Sequence, residues 1–286
     1  MIPICDFSNF ASKDTVPSKV QHVLASVLFG KVVQDMEVDF NMTTMEKAVF
    51  GCFKAEHAQD FLLAIPIDEH MSPIEYRTIL RYRLMIPLFP KDEVCLVCRK
   101  VCLDTFGEHV VHCRELPGFK YRHDLVRDVL FDIIRCAGIS VKKEAPVNFL
   151  TDPQEGRSTV RPTDVMVYGW VGGKHACVDL TGVSPLVGLG VGDFIVGRAA
   201  LKAASRKMAK LEKSCIDNQH IFIPFAFDTF GFLAPEAVNL LKRVQKVMHS
   251  NMVAPKSMNI VFQRLGFAIQ KGLAAQLVAR LPFINV

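Results

Sequence analysis

The sequence has no apolar segment long enough to cross a membrane. Charged residues interrupt every apolar run within about 18 residues, whereas a membrane-spanning helix needs about 20. The first residues, MIPICDFSNF, lack the basic start of a signal peptide. Repeats and low-complexity tracts are also missing. We therefore expect a soluble, intracellular protein that is not secreted and has no membrane partner.

Strong charge of one sign is missing as well. The net charge of +5 favours anionic partners only weakly and does not by itself indicate nucleic-acid binding. What the chain does have is 286 residues, of which 50% are hydrophobic and 22% charged, a globular composition. This length is enough for one large or two small domains. The sequence leaves the oligomeric state open.

Hydrophobic periodicity predicts a mixed α/β fold. Helical spacing covers residues 17–33, 43–64, 73–85, 119–137, 198–216, 234–249 and 258–280, and strand-like runs cover 139–147, 162–168, 175–182 and 221–227. These patterns divide the chain into a helical N-terminal region (1–90), a cysteine-rich loop (91–117), a mixed α/β domain (118–250) and a C-terminal helical extension (251–286). Within the mixed domain the order is helix, three strands, helix, strand.

The cysteine-rich loop has the ligand spacing of a zinc site. Its pattern is Cys-x2-Cys-x10-His-x3-Cys, formed by Cys95, Cys98, His109 and Cys113. Thiolates and an imidazole suit zinc, and four ligands close the tetrahedron, so we expect a structural metal and not a catalytic one. Cys102 and His112 leave the choice of ligands open. The alternative is a set of partly buried thiols without metal.

Two aspartates lie in neighbouring strand-like runs. Asp164 precedes the apolar end of the first run, and Asp179 lies inside the second, with Gly172 and Gly173 between them as a turn. A hairpin through this turn would bring the two carboxylates together, and they repel each other unless a cation intervenes. Magnesium, which is held by one or two carboxylates together with water and phosphate, is the predicted occupant.

The helix at 198–216 carries a basic face next to these aspartates. A periodicity of about 100° per residue predicts one apolar stripe and one basic row. The predicted stripe is Leu201, Ala204, Met208, Leu211 and Cys215, and the predicted row is Arg198, Lys202, Arg206, Lys210 and Lys213. Lys207 falls on the border between them and is our first candidate for a catalytic lysine. Arg198, Lys202, Arg206 and Lys210 of the row are predicted to contact the phosphate backbone of a nucleic acid; the alternative is a solvated helix face.

Three further residues are candidates for the same site. Arg122 falls in line with the apolar stripe of the helix at 119–137, and His123 lies at the border of that stripe. An inward arginine needs a carboxylate or phosphate partner, so both residues are candidates for phosphate binding or for structural capping. Glu144 is a third candidate carboxylate for the metal, or else a surface charge between lysines.

The ordered series of these motifs resembles a known family region. CLVC with GEHVVHC, then YRHDLVRD, RPTDVMVYGW, ACVDLTGVSPL and RKMAKLEKSC are similar to the C-terminal region of non-LTR retrotransposon polyproteins. In that family a Cys-Cys-His-Cys zinc motif precedes a restriction-like endonuclease of the PD-(D/E)XK superfamily. The resemblance covers about residues 57–245.

The resemblance implies a magnesium-dependent endonuclease that acts on DNA, with RNA as a second possible partner. It implies that Asp164 and Asp179 are the two acids, that Lys207 and Lys210 are the helix lysines, and that the location is the nucleus, with the cytoplasm as alternative. The rival hypothesis is a remnant that binds nucleic acid, or is purely structural, and has lost catalysis.

The sequence departs from the family pattern at two positions. Thr163 is inserted between Pro162 and Asp164, and Thr181 stands where the pattern has its lysine. No polymerase palm with paired aspartates precedes these motifs, so the resemblance implies a fragment or an isolated descendant of such an element.

Overall fold

The hydrophobic pattern of the sequence alternates between helical and strand spacing. A computed structural model describes residues 20–64, 70–95, 97–99, 102–113, 115, 117–145, 163–186, 194–251 and 260–281. Within these residues it contains eight α-helices and two sheets. The helices are α1 (Val20–Asp39), α2 (Thr44–Phe53), α3 (Pro73–Arg83), α4 (Glu108–His112), α5 (Pro117–Cys136), α6 (Arg198–Asp217), α7 (Pro235–Asn251) and α8 (Ile260–Val278). The strands are β1 (Glu93–Val94), β2 (Cys102–Leu103), β3 (Val141–Ala145), β4 (Thr163–Val171), β5 (Lys174–Val183) and β6 (Ile221–Asp228).

Residues 1–47 form one compact unit by themselves. In its described part, α1 exposes the large apolar side chains of Leu28, Phe29 and Val38. Thr43 then precedes α2 and exchanges hydrogen bonds with Glu46: the Glu46 carboxylate accepts from the Thr43 backbone N–H at 2.8 Å, and the Thr43 hydroxyl accepts from the Glu46 N–H at 3.3 Å. This capping box satisfies backbone donors where a helix begins.

Residues 48–286 form the second unit, and its centre is a four-stranded mixed sheet. The strand order is β3-β4-β5-β6, with antiparallel pairs on the β3 side and a parallel β5-β6 pair. The predicted hairpin is confirmed, since β4 and β5 join through Gly172 and Gly173, both at positive φ. The predicted order of helix, three strands, helix and strand is confirmed by α5, β3–β5, α6 and β6.

Helices cover both faces of this sheet. On one face, α5, α7 and α8 pack against alternate strand residues such as Val165, Val178 and Phe225, all fully buried. On the other face α6 packs over Met166 and Cys177, the residues of opposite parity. Side chains along a strand alternate between the two sides of a sheet, so every second residue of a strand points toward α6.

The last helix belongs to the core, where the sequence predicted a C-terminal extension from residue 251. Val261, Leu265 and Ile269 of α8 are fully buried in the layer shared with α5 and α7, and residues 48–286 group as one compact unit. Apolar spacing predicts that one side of a helix is buried, but it does not predict which elements the helix packs against. The pattern therefore could not show that α8 shares a core with the residues before 250.

Two other boundaries differ from the predictions. The helix predicted at 43–64 ends at Phe53, whose carbonyl accepts a hydrogen bond from the Gln59 side chain at 3.1 Å, and only a short 3-10 turn (Asp60–Leu63) follows. The cysteine-rich loop, predicted without regular structure, contains the β1-β2 hairpin and α4. The predicted helix residues 17–19, 258 and 259, the predicted strand residues 146, 147 and 162, and residues 187–193 lie outside the described residues. No helix in the described ranges is both long and apolar enough to cross a bilayer.

Candidate metal centre and active site

The four predicted zinc ligands come together in the structure. One donor atom from each of Cys95, Cys98, His109 and Cys113 lies within 4.8 Å of the others. Cys98 Sγ and His109 Nε2 are 3.3 Å apart, and Cys95, His109 and Cys113 are buried. The cluster can hold a metal ion such as zinc. A set of three thiolates and one imidazole leaves no open position, which fits a structural site.

Local backbone geometry builds this centre. After Cys95 the chain turns tightly, so that its carbonyl accepts from the Arg99 N–H at 2.8 Å while Arg99 adopts a φ of 53°. Gly107 then begins α4 at a φ of 82°, where a Cβ would lie 3.0 Å from a Leu277 methyl group. Glycine is needed there for both the positive φ and the close approach.

Asp104 fixes the position of His109 through the first turn of α4. Its Oδ1 accepts from the Phe106 and Glu108 N–H groups at 3.1 and 2.9 Å, and its Oδ2 accepts from the His109 N–H at 2.8 Å. One carboxylate thus satisfies the Phe106 N–H of the preceding turn and two donors that a short helix leaves unpaired. The Cys113 N–H then donates to the His109 carbonyl at 3.0 Å, which places the last ligand one turn beyond the imidazole.

His112 and Cys102 are the two alternative ligands that the sequence left open. The His112 ring is 5.9 Å from the His109 ring, and its Nδ1 is 3.8 Å from the Glu108 carboxylate. The structure describes Cys102 only as a backbone residue of β2. Among the side chains that the structure describes, those of Cys95, Cys98, His109 and Cys113 bring their donor atoms together.

Helix α8 is hydrogen-bonded to the metal loop. The Gln276 side chain donates to the Val110 carbonyl at 2.7 Å and to the Val111 carbonyl at 3.1 Å. Both acceptors belong to α4, and Gln276 is 1% exposed. A buried amide bound to two carbonyls fixes the loop to the core, because leaving those groups unpaired would be costly.

The two strand aspartates face each other. The β4-β5 register pairs Val165 with Val178, and one step further along the ladder Asp164 stands opposite Asp179. Their carboxyl groups are close enough to influence each other's pKa, and each side chain is 18% exposed. Asp164 is fixed by the Leu180 N–H, which donates to its Oδ2 at 2.6 Å.

Lys207 reaches this carboxylate pair from α6. Its Nζ is 2.6 Å from Asp179 Oδ2, and the lysine side chain is 34% exposed. The predicted border position on the helix therefore places the ammonium between the sheet and solvent. The ammonium thus lies beside the two carboxylates of the inner strands β4 and β5.

His123 contacts the other aspartate from α5. Its Nε2 is 3.4 Å from Asp164 Oδ2, and its Nδ1 is 3.5 Å from Asp124 Oδ1. The hydrogen bond to Asp164 raises the pKa of His123, although burial alone would lower it. His123 thus lies at the carboxylate pair, between two acids.

The environment separates the pKa values of the two aspartates. Burial raises the pKa of Asp179, and the charge of Asp164 adds to this effect against the opposing influence of Lys207. Burial also acts to raise the pKa of Asp164, but the hydrogen bond and charge of His123 outweigh it and leave that pKa lowered. A close pair with unequal pKa values is the expected result of two carboxylates competing for limited positive charge.

Glu144 is held away from this pair. Its carboxylate accepts a short hydrogen bond from Arg127 of α5, and its side chain is 61% exposed. Glu144 also has a φ of 47°, which interrupts the β3 pleat. The Arg127 guanidinium in turn contacts Asp124 at 3.1 Å. The sequence did not identify Asp124 or Arg127, although the spacing of three residues between them on α5 is a signal for such a pair.

The α6 surface agrees with most of the predicted pattern. The residues of the basic row are exposed, and no ion pair of theirs occurs within the described part of the chain; they are Arg198, Lys202, Arg206, Lys210 and Lys213. The predicted stripe is wrong at Leu201, which is 40% exposed, whereas Ala200 is fully buried. Ala200 packs in one cluster with Ala204, Ala226 and Ala234, and small side chains on both sides let the helix lie close to the sheet.

Arg122 is a core residue, so the predicted contact with a phosphate backbone is not supported. It is 3% exposed, its chain packs against Gly272 of α8, and its guanidinium lies over the Phe119 ring at 5.5 Å. Burial lowers the pKa of Arg122 to about 10, although Tyr82 and Glu108 counteract this effect. The helical stripe predicted that Arg122 points inward, but it did not predict which residues surround it.

Comparisons of the chain with protein-family models, with curated proteins and with solved structures find no match, so the family resemblance stays a prediction.

Proposed function

We propose that this chain contains a metal-dependent DNA endonuclease domain of the kind found in non-LTR retrotransposons, with a PD-(D/E)XK core and a structural zinc loop. The observation that carries the proposal is the contact of Lys207 with Asp179, opposite Asp164, beside an exposed basic helix face. The order of α5, three strands, α6 and β6 also agrees with that core.

Asp164 and Asp179 fit a magnesium ion. Two largely buried carboxylates that face each other favour a cation between them, and oxygen donors are the ligands that magnesium prefers. When bound, magnesium would supply Lewis-acid polarisation of the phosphate and a more acidic water. Glu144 lies one strand away, but its carboxylate is bound to Arg127, so we assign it no ligand role.

Lys207 is the proposed cationic group of the reaction. Its Nζ beside Asp179 can hold an attacking water by hydrogen bond and stabilise negative charge on the phosphate oxygens. Thr181 occupies the strand position two residues after Asp179, and the lysine comes from α6 instead. His123 would orient Asp164 from the opposite side.

The exposed row on α6 supplies the proposed DNA surface. Arg198, Lys202, Arg206 and Lys210 lie on the helix that also bears Lys207, so a backbone bound along the row would pass the carboxylate pair. Such contacts read phosphates and not bases, which gives salt-dependent binding with little sequence preference and leaves RNA as a second substrate. Action on chromosomal DNA would require a nuclear location.

A second candidate function is nucleic-acid binding without catalysis. Lys207 and His123 already neutralise Asp179 and Asp164 from within the protein. A carboxylate pair with two internal counterions can persist as a structural element in a remnant that no longer binds magnesium.

Plasmid nicking with magnesium distinguishes these functions. We expect wild type to nick supercoiled DNA, and Asp179→Asn and Lys207→Met each to lower the rate at saturating DNA by about 100-fold or more, because each removes a charge at the reacting phosphate. Asp217→Asn, at the exposed C-terminal end of α6, is the matched control and should retain the rate.

Binding measured in parallel separates the remaining outcomes. Duplex binding by wild type without nicking in magnesium or manganese would favour the remnant. Nicking that is unaffected by Asp179→Asn would reject the proposed site, and a protein that neither nicks nor binds DNA would reject both functions.

A further inference from the structure

Glu108 joins the metal loop to the central sheet. It begins α4 directly before His109, but its carboxylate points to other partners: Oε1 accepts a short hydrogen bond from the Ser184 hydroxyl, and Oε2 accepts from the Tyr82 hydroxyl at 3.1 Å. Ser184 and Tyr82 are each 3% exposed, and the Glu108 side chain is 17% exposed. Hydrogen bonds to a carboxylate are stronger than neutral ones, and water competes little for these two.

The two hydrogen bonds lead to the ends of β5 and β6. Ser184 directly follows β5, and its Oγ also accepts from the Leu186 N–H at 3.2 Å. Thr229 directly follows β6, and its N–H donates to the Val183 carbonyl at 3.0 Å. The Tyr82 hydroxyl is 3.3 Å from Thr229 Oγ1. The carboxylate is therefore bonded to the C-terminal end of β5 directly and to that of β6 through Tyr82.

Strand β5 has little freedom to bend between Asp179 and Ser184. It is an inner strand, and it pairs with β6 in continuous register from Ala176 to Val183. A Cβ at Gly182 would lie 2.8 Å from the Phe227 ring, so strand and ring are in close contact there. Ser184 is five residues beyond Asp179, which is about 17 Å along an extended strand. A displacement of Ser184 along β5 would therefore also displace Asp179.

The metal ligands determine how firmly α4 holds Glu108. The helix is only five residues long, too short to be stable without bonds to other elements. Of the four converging ligands, His109 lies within it and Cys113 directly follows it. A bound ion would therefore fix the backbone next to Glu108, and its release would loosen that backbone. The alternative is that Glu108 only stabilises the fold, with the same effect whether or not metal is bound.

We propose that Glu108 is a positioning residue that couples the metal loop to the proposed nuclease site through its hydrogen bond to Ser184. In the loaded loop α4 holds Glu108, Glu108 holds the end of β5, and Asp179 keeps its place opposite Asp164. The effect on Asp179 rests on the proposed nuclease function. The coupling between metal binding and the hydrogen bond from Ser184 to Glu108 does not.

Zinc affinity tests the coupling without an enzyme assay. Competition with a fluorescent zinc chelator measures the affinity of the full chain. We expect Glu108→Ala and Ser184→Ala each to lower it by about 10-fold or more, because each removes a hydrogen bond to a carboxylate that the loaded loop holds in place. Adding Ser184→Ala to Glu108→Ala should lower the affinity no further, since both changes remove the same bond.

The matched control is Ser250→Ala. The Ser250 hydroxyl is exposed and donates to the Lys246 carbonyl within α7 at 3.0 Å, so its removal should leave the zinc affinity unchanged. Wild-type zinc affinity in Ser184→Ala would overturn the proposal, as would a double variant whose loss equals the product of the two single losses. If Glu108→Ala does not fold, the comparison of Ser184→Ala with wild type remains decisive.

Plasmid nicking tests the effect on Asp179. A displaced Asp179 would bind magnesium more weakly, so Ser184→Ala should raise the magnesium concentration that gives half the maximal rate by about 10-fold. Removal of zinc from wild type with a zinc-selective chelator, below the unfolding temperature, should do the same. A role in fold stability alone would lower the amount of active protein and leave this concentration unchanged. Ser250→Ala should match wild type.

The outcomes separate this inference from the proposed function. Nicking with the same magnesium dependence in Ser184→Ala and wild type would overturn the effect on Asp179. If wild type does not nick DNA at all, the proposed function fails, and the zinc affinities still decide whether Glu108 couples the metal loop to β5.

Discussion

Asp228 is a buried acid whose protonation is linked to folding. It is fully buried at the end of β6, and its Oδ1 accepts from the Phe230 and Phe232 N–H groups at 2.8 and 3.0 Å. Burial raises its pKa from 3.8 to about 6, although these backbone donors and Arg83 counteract this effect. Cys52 is the other titratable neighbour. The folded chain therefore keeps this proton to a higher pH than the unfolded chain does.

The sign of the resulting pH dependence follows from linkage. Between about pH 4 and 6 the folded state binds more protons at Asp228, so a rise in pH lowers the free energy of unfolding, by about 3 kcal/mol from this group. Asp228→Asn keeps the Oδ1 acceptor and removes the titration. We expect the free energy of unfolding, measured by denaturant titration between pH 4 and 6, to fall less in the variant than in wild type, because the contribution of Asp228 is removed. The same pH dependence in both proteins would contradict this prediction.

At the scale of elements, the metal loop should depend on its ion for stability. We expect one zinc per chain by metal analysis. At a concentration about 1,000 times its dissociation constant, zinc contributes about 4 kcal/mol, or about 8–16 °C in Tm for a domain of this size. A chelator, or Cys113→Ser, should lower Tm accordingly.

The matched control for the metal loop is a cysteine outside the cluster. Cys136→Ser changes an exposed thiol and should keep both the zinc and the Tm of wild type. Purified protein without zinc whose Tm does not change in chelator would show that the loop is stable through its thiols and packing alone.

The basic row of α6 should determine the salt dependence of DNA binding. Each phosphate contact removed lowers the slope of log affinity against log salt by about 0.9, so Lys202→Ala with Lys210→Ala should lower it by about 1.8. Fluorescence anisotropy with a labelled duplex measures this slope. Lys242→Ala with Lys246→Ala removes two exposed lysines from α7, across the sheet, and should leave it unchanged; equal slopes for both pairs would reject the α6 surface.

Sequence patterns predicted elements well and their partners poorly. Periodicity identifies the apolar side of α5 and α6, and the Gly172-Gly173 turn fixes the hairpin that sets Asp164 opposite Asp179. The same patterns did not anticipate the irregular backbone at Glu144, because a positive φ at a non-glycine residue has no compositional signal. They also could not predict what Arg122 packs against, since the residues that bury it, such as Gly272, are far from it in the sequence.

At the scale of the whole molecule, α8 should be required for folding. A fragment of residues 41–286 keeps the Thr43 cap and the complete second unit, and we expect it to unfold cooperatively in denaturant. A fragment of residues 41–250 lacks Val261, Leu265 and Ile269 and should lose cooperative unfolding, because the α5 side of the core becomes exposed. A cooperative transition of the shorter fragment would restore the predicted boundary at 250.

The hydrogen bonds of Gln276 to α4 have a thermodynamic consequence. Because the amide joins the last helix to the backbone between His109 and Cys113, release of α8 and loss of metal are coupled equilibria. Coupling is reciprocal, so a bound ion favours the docked helix by the same factor by which the docked helix raises the affinity for the ion. The metal affinity of the loop is therefore a measure of how firmly α8 is docked.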